Sequence, residues 1–153
     1  MVNRASTKIW MLRHLKALGA SRRSLLEIYT KHIRCILEFA CPAWTGALTL
    51  KESRKLERVQ RVVMKLIFES EKKPYKDVLA ENKLQKVSDR RKYLALKFAK
   101  SAFSHQKFKT WFQIQNTPNQ RTKFRESITR TNRLFNSPIP YLTRLLNRNK
   151  GHL

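Results

Sequence analysis

Apolar residues recur along this chain in steps of three and four, the spacing that gathers side chains on one face of an α-helix. Ile9, Leu12, Leu15 and Leu18 predict a first helix over about Thr7 to Leu18, with Gly19 placed to stop it. Ser21 can cap a second helix that runs to about Phe39 on a stripe of Leu25, Tyr29, Ile33, Ile36 and Leu37. Pro42 is expected to end that helix, and Trp44 to be a buried anchor in the connection. Thr49 and Glu52 then match a capping box, opening a helix whose buried face is Leu56, Val59, Val63, Leu66 and Ile67. The face opposite holds Lys51, Arg54, Lys55, Arg58, Arg61 and Lys65.

A polar run from Glu69 ends at Pro74, and a short helix is predicted over Tyr75 to about Glu81. A longer helix begins near Ser88, with Asp89 at the positive end of its dipole. Its two apolar rows are Leu94, Phe98 and Ala102, and Leu96, Ala99 and Phe103. Arg90, Arg91, Lys92, Lys97 and Lys100 are left for solvent or phosphate. From Asn116 to Asn136 periodicity is lost: arginines stand at 121, 125, 130 and 133, with Glu126 the one acid, which predicts a basic extended arm. "SPIPYLTRLLN", Ser137 to Asn147, restores a short helix anchored by Leu142, Leu145 and Leu146. With no alternating run long enough to seed a sheet, the fold is predicted to be an all-α helical bundle. It divides into a helical domain over 1–112, a basic irregular arm over 113–136, and a short C-terminal docking helix and tail over 137–153.

Charge changes this picture from a bundle to a bundle with a partner. Lys and Arg number 34 against 10 Asp and Glu, a net +24 in 153 residues. A surplus of that size points to a polyanion such as nucleic acid. Cys35 and Cys41 lie in apolar surroundings and are expected as free, buried thiols of a reducing compartment. No apolar run approaches the roughly 20 residues a membrane helix needs. The run Ile9 to Leu12 stops at Arg13, unlike a secretory leader, although the first 23 residues, with six basic residues and no acid, superficially fit a mitochondrial presequence. The expected location is nuclear or cytoplasmic, not secreted.

Candidate chemistry is sparse. Two-metal catalysis on nucleic acid needs converging carboxylates, yet the two aspartates are Asp77 and Asp89 and neither has a close acidic partner. Asp77 and Glu81 share a helix face, but Lys73, Lys76 and Lys83 beside them favour surface ion pairs. Zinc needs about four ligands at close spacing; Cys35 and Cys41 are scattered among His14, His32, His105 and His152, and even the His32–Cys35 step lacks a second pair. The expectation is no catalytic residue, no metal and no cofactor. Trp10, Trp44, Trp111, Phe108, Phe112 and Tyr141 could stack on bases, with core packing favoured for each. "HQKFKTWF", His105 to Phe112, best interleaves cations with aromatics.

Several of these stretches follow one another in a recognisable order. "IYTKHIRCILEFACPAWTGALTLKESRKLERVQRVVMKLIF", then "YKDVLAENKLQKVSDRRKYLALKFAK", then "SPIPYLTRLLN" resembles the segment after the catalytic palm in reverse transcriptases of non-LTR (LINE-type) retrotransposons. The matching positions are Tyr29, Leu37-Glu38-Phe39, Pro42-Ala43-Trp44, Leu56-Glu57-Arg58-Val59-Gln60-Arg61, Tyr75 and Arg90-Arg91. The resemblance implies a thumb-like bundle that grips the backbone of a template-primer duplex. It also implies a fragment of a longer reading frame, whose palm and fingers, with their paired aspartates, lie outside this chain. The expected site is therefore Arg54, Lys55, Arg58, Arg61, Lys65, Arg90, Arg91, Lys97 and Lys100, binding RNA, DNA or a hybrid duplex without reading bases. The palm and fingers of a parent polymerase, and self-association through an exposed apolar face, are the other expected partners. The rival expectation is a structural or interaction remnant of a mobile element.

Overall fold

The computed structural model describes residues 1–71, 73–115 and 123–149, and its regular structure is helical. No strand forms among the described residues; a single antiparallel bridge pairs Ile114 with Phe124. The chain divides into two compact units, Met1–Phe39 with Thr49–Arg90, and Ala40–Leu48 with Arg91–Leu153. These limits differ from those at 112 and 136, which follow a change in polarity, whereas the units follow which segments lie against one another.

The first unit is built on α1 (Val2–Ala17), α2 (Arg22–Ile28), α3 (Cys35–Glu38), α5 (Leu50–Ile67) and α6 (Tyr75–Glu81). Helix α1 starts five residues before the expected Thr7, because Ala5 extends the buried row of Ile9 and Leu12 by one turn. Leu18, expected on that row, is 82% exposed. It caps the helix, and the chain turns away at Gly19, whose φ of +83° suits glycine. Gly19 N–H reaches Lys16 O and Ala20 N–H reaches Leu15 O, both at 3.0 Å, which is the Schellman closure.

Ser21 caps α2 through its hydroxyl, which accepts Ser24 N–H at 3.1 Å. The helix then widens into a π turn, Tyr29–Arg34, before α3. Its buried residues Leu25, Tyr29, Ile33 and Leu37 repeat every fourth position. In a helix of about 3.6 residues per turn such a row drifts by about 40° at each step. The wider π turn, with i→i+5 bonds, takes up part of that drift and keeps the row facing inward. Helix α5 opens on the expected capping box: Glu52 N–H donates to Thr49 Oγ1 at 3.2 Å and Thr49 N–H to Glu52 Oε2 at 2.9 Å. Leu56, Val59, Val63, Met64 and Ile67 of α5 are buried, and so is Gln60.

In the second unit Pro42 begins a helix where it was expected to end one. The break falls at Ala40, in the left-handed region at φ +49°, and Pro42 occupies the first turn of α4 (Cys41–Trp44), where its missing N–H costs no bond. Helix α7 (Val87–Ser104) runs from the first unit into the second, and starts at Val87, one residue before the expected cap Ser88. Ser88 N–H instead approaches Glu57 Oε2 at 3.4 Å. The core of this unit gathers Ala95, Ala99 and Ala102 of α7 with Phe112, Phe124, Leu142 and Leu146, flanked by Leu96, Phe103, Tyr141 and Leu145. Small residues thus line the seam, and Phe98, expected on the apolar row, is exposed.

The expected arm is not extended throughout. Residues 116–122 lie outside the described residues, Arg121 among them. Beyond them Phe124 is wholly buried, and Asn147 of α9 (Pro138–Arg148) holds both its backbone groups: Phe124 N–H donates to Asn147 Oδ1, and Asn147 Nδ2 donates to Phe124 O, each at 3.0 Å. The side-chain amide acts here as a missing strand would. A helical turn, α8 (Asn132–Phe135), then leads into α9.

Candidate nucleic-acid interface

Helix α5 sorts its residues by chemistry. At about 100° per residue, Lys51, Arg54, Arg58, Arg61 and Lys65 fall within about 80° of arc, with Lys55 beside them. All six are exposed, on the side away from Leu56, Gln60, Val63 and Ile67. No ion pair holds Arg54, Lys55, Arg58, Arg61 or Lys65 among the described residues.

The two acids of α5 itself are turned to other work. Glu57 accepts the Tyr75 hydroxyl at 2.7 Å. Glu52 is committed to the capping box, and the N–H of Thr49, followed by its hydroxyl, holds its carboxyl below the usual range. One cation is fixed in place: the Arg61 guanidinium lies 5.1 Å from the centre of the Tyr75 ring. Burial, followed by the hydrogen bond to Glu57, pushes the Tyr75 phenol far above its ordinary value, so it stays a neutral platform.

The other expected site residues fare differently. Arg90 is tied to Glu38, with Nε 3.4 Å from Oε1, and Arg34 binds the same oxygen at 2.6 Å. Arg90 therefore helps neutralise a half-buried carboxylate. Arg91 is 3% exposed, with its guanidinium 5.5 Å from the centre of the Trp44 ring. It does not present its charge to solvent, which corrects the expectation that it faces phosphate. Trp44 in turn is half-buried, a shelf for Arg91 more than a core anchor. Lys97 is exposed and Lys100 half-buried. Arg54, Lys55, Arg58, Arg61, Lys65 and Arg90 belong to the first unit, and Arg91, Lys97 and Lys100 to the second.

Three aromatics expected in the core are on the surface. Trp10 is 65% exposed, its ring edge-on to His14 at 4.1 Å between centroids. Phe108 and Trp111 are also exposed, 4.8 Å apart, while Phe112 is buried. Trp10 was detectable in principle. It sits with Asn3, Ser6, Thr7, Arg13 and His14 on the polar side of α1, though its place in the run Ile9 to Leu12 hides this.

Cys35 is exposed, against expectation, with Sγ 2.9 Å from Lys31 O; Cys41 is buried. Glu81 binds Lys73 at 2.8 Å, the surface pair expected there. Among the described residues no three of His, Cys, Asp or Glu converge as metal ligands, and no helix is long and apolar enough to cross a membrane. The second unit also carries an apolar groove of about 750 Å³ between Ala43, Phe98, Trp111, Leu134, Ile139 and Leu142. The chain matches no protein-family model, no curated protein and no solved structure.

Proposed function

We propose that this chain is a non-catalytic nucleic-acid-binding domain, and that α5 grips the phosphate backbone without reading bases. The observation that carries the reading is the acid-free row of Lys51, Arg54, Arg58, Arg61 and Lys65, exposed and unclaimed by ion pairs among the described residues. Phosphate contacts by such a row release counterions, so affinity falls steeply with salt and depends little on sequence. The order of motifs supports a more specific reading: a thumb-like fragment of a non-LTR retrotransposon reverse transcriptase, beside a palm and fingers that would supply the catalytic aspartates. Its partner is then an RNA, DNA or hybrid duplex, in the nucleus or cytoplasm.

Titration of a labelled 20-base-pair duplex from 50 to 300 mM salt tests the reading. Log affinity should fall linearly with log salt, and replacing Arg54, Arg58 and Arg61 together by Ala should make the slope shallower by roughly 0.9 for each phosphate that is no longer neutralised. A flat response in the parent protein would sink it.

The apolar groove of the second unit favours a second reading, a structural or interaction remnant that associates through that surface. It predicts a dimer or larger species by light scattering that nucleic acid does not dissolve, and for which Phe98→Ser restores the monomer.

A further inference from the structure

The exposed Trp10 does not stand alone. It lines a groove of about 610 Å³ between α1 and α5, inside the first unit, together with Ser6, Thr7, Arg13, Lys55 and Arg58. The groove has three cations and no acid along its lining. Arg13, Lys55 and Arg58 make no ion pair among the described residues, and Lys55 and Arg58 continue into the phosphate-binding row of α5. The Trp10 ring is braced from one side by His14, while most of its surface faces solvent.

Exposure alone does not single out Trp10, but its place in a cationic groove does, and an indole flanked by cations suits one ligand above others. Bases stack on aromatic faces whatever their identity, while neighbouring Lys and Arg hold the phosphates on either side. An acidic peptide would use the cations and leave the indole idle; a lipid surface would call for a wider apolar patch, where this groove offers hydroxyls at Ser6 and Thr7.

We propose that the α1–α5 groove is a subsite for an unpaired nucleotide, its base stacked on Trp10 and its phosphates held by Arg13, Lys55 and Arg58. A duplex on the α5 row would then be continued by single strand, and the protein would prefer a duplex bearing an overhang to a blunt one. This rests on the proposed binding of nucleic acid by α5.

The test uses the full chain and three DNA probes of equal charge: a duplex with a six-nucleotide thymidine overhang, the same overhang made of abasic residues, and a blunt duplex lengthened by three base pairs. The thymidine overhang should bind about tenfold more tightly than the abasic one. Trp10→Ala should erase that difference and leave the blunt affinity unchanged, with Trp10→Phe keeping a part of it. Far-ultraviolet circular dichroism confirms that each variant is helical. Salt-sensitive binding that is equal for all three probes overturns the subsite and leaves the α5 reading standing. No salt-sensitive binding to any probe overturns both. A loss on Trp10→Ala that is the same for blunt and overhanging probes also overturns the subsite.

Discussion

Gln60 is the polar residue on which the core of the first unit turns. Fully buried on α5, it accepts the Tyr29 hydroxyl at 2.6 Å and donates from Nε2 to Gln85 O at 3.0 Å, so both ends of its amide are satisfied. Burial, against the lowering effect of Arg34, holds the Tyr29 phenol far above its ordinary value. The unfolded chain loses this proton near pH 10 while the folded chain keeps it. The linked stability is therefore complete below about pH 10 and declines as pH rises further. Thermal melts at pH 8 to 11.5 should show the midpoint falling above pH 10, and falling less in Tyr29→Phe. At pH 8 the same variant should lose about 1–3 kcal/mol, because Gln60 Oε1 is left buried without a donor. Equal alkaline slopes in both proteins would count against this account.

Among the elements, the turn after α4 shows how tightly two pieces can depend on one missing atom. A Cβ on Gly46 would lie 2.6 Å from Tyr141 Cγ and 2.8 Å from Asn136 O, so α9 and the turn before it can close on residues 45–47 only over a glycine. The Asn136 carbonyl belongs to the backbone and cannot swing aside. Gly46→Ala should cost about 1–3 kcal/mol by overpacking, read as a lower urea midpoint with an unchanged slope. At the start of α5, Thr49→Ala should remove about 1 kcal/mol with the cap. The Glu52 half of that box acts in the opposite pH range. Its carboxyl is held low by Thr49, so its contribution is present at neutral pH and lost as pH falls through that lowered value. Helicity followed from pH 7 to 2 should decline earlier in Thr49→Ala than in the parent protein.

For the whole molecule the governing quantity is a charge of +24. Like charges at this density repel one another in the folded state and less so in the expanded one. Raising NaCl from 10 to 200 mM should therefore raise the melting midpoint by screening. On the proposed binding by α5, a 20-base-pair duplex at low salt should raise it further by mass action. A midpoint that does not move with either addition would argue against both the repulsion and the binding. Replacing Arg91 belongs to a different class from replacing Arg58. With its charge buried against Trp44, Arg91→Ala should lower stability, whereas Arg58→Ala should lower affinity and leave the midpoint nearly unchanged.

Periodicity and capping are local, and where they decided matters the sequence was sufficient. The Thr49 box, the Ser21 cap, the stop at Gly19, the helix over Tyr75–Glu81 and the two-faced character of α5 all follow from side chains acting within about one turn of their own backbone. The fate of an individual cation or aromatic does not. Arg90, Arg91, Lys97 and Lys100 look alike as text, yet one meets Glu38, one lies on Trp44, one faces solvent and one is half-buried. Each depends on which distant segment covers its face. Trp10 reads as core from its neighbours Ile9 and Leu12, and is exposed because the helices packed on α1 bury Ala5, Ile9 and Leu12, about a quarter-turn or more away. Phe124, in a stretch with no periodicity, becomes core because Asn147 supplies its missing backbone partners. Local bonding wrote the helices into the sequence; only packing between segments far apart in the chain chose which charges and rings were left at the surface.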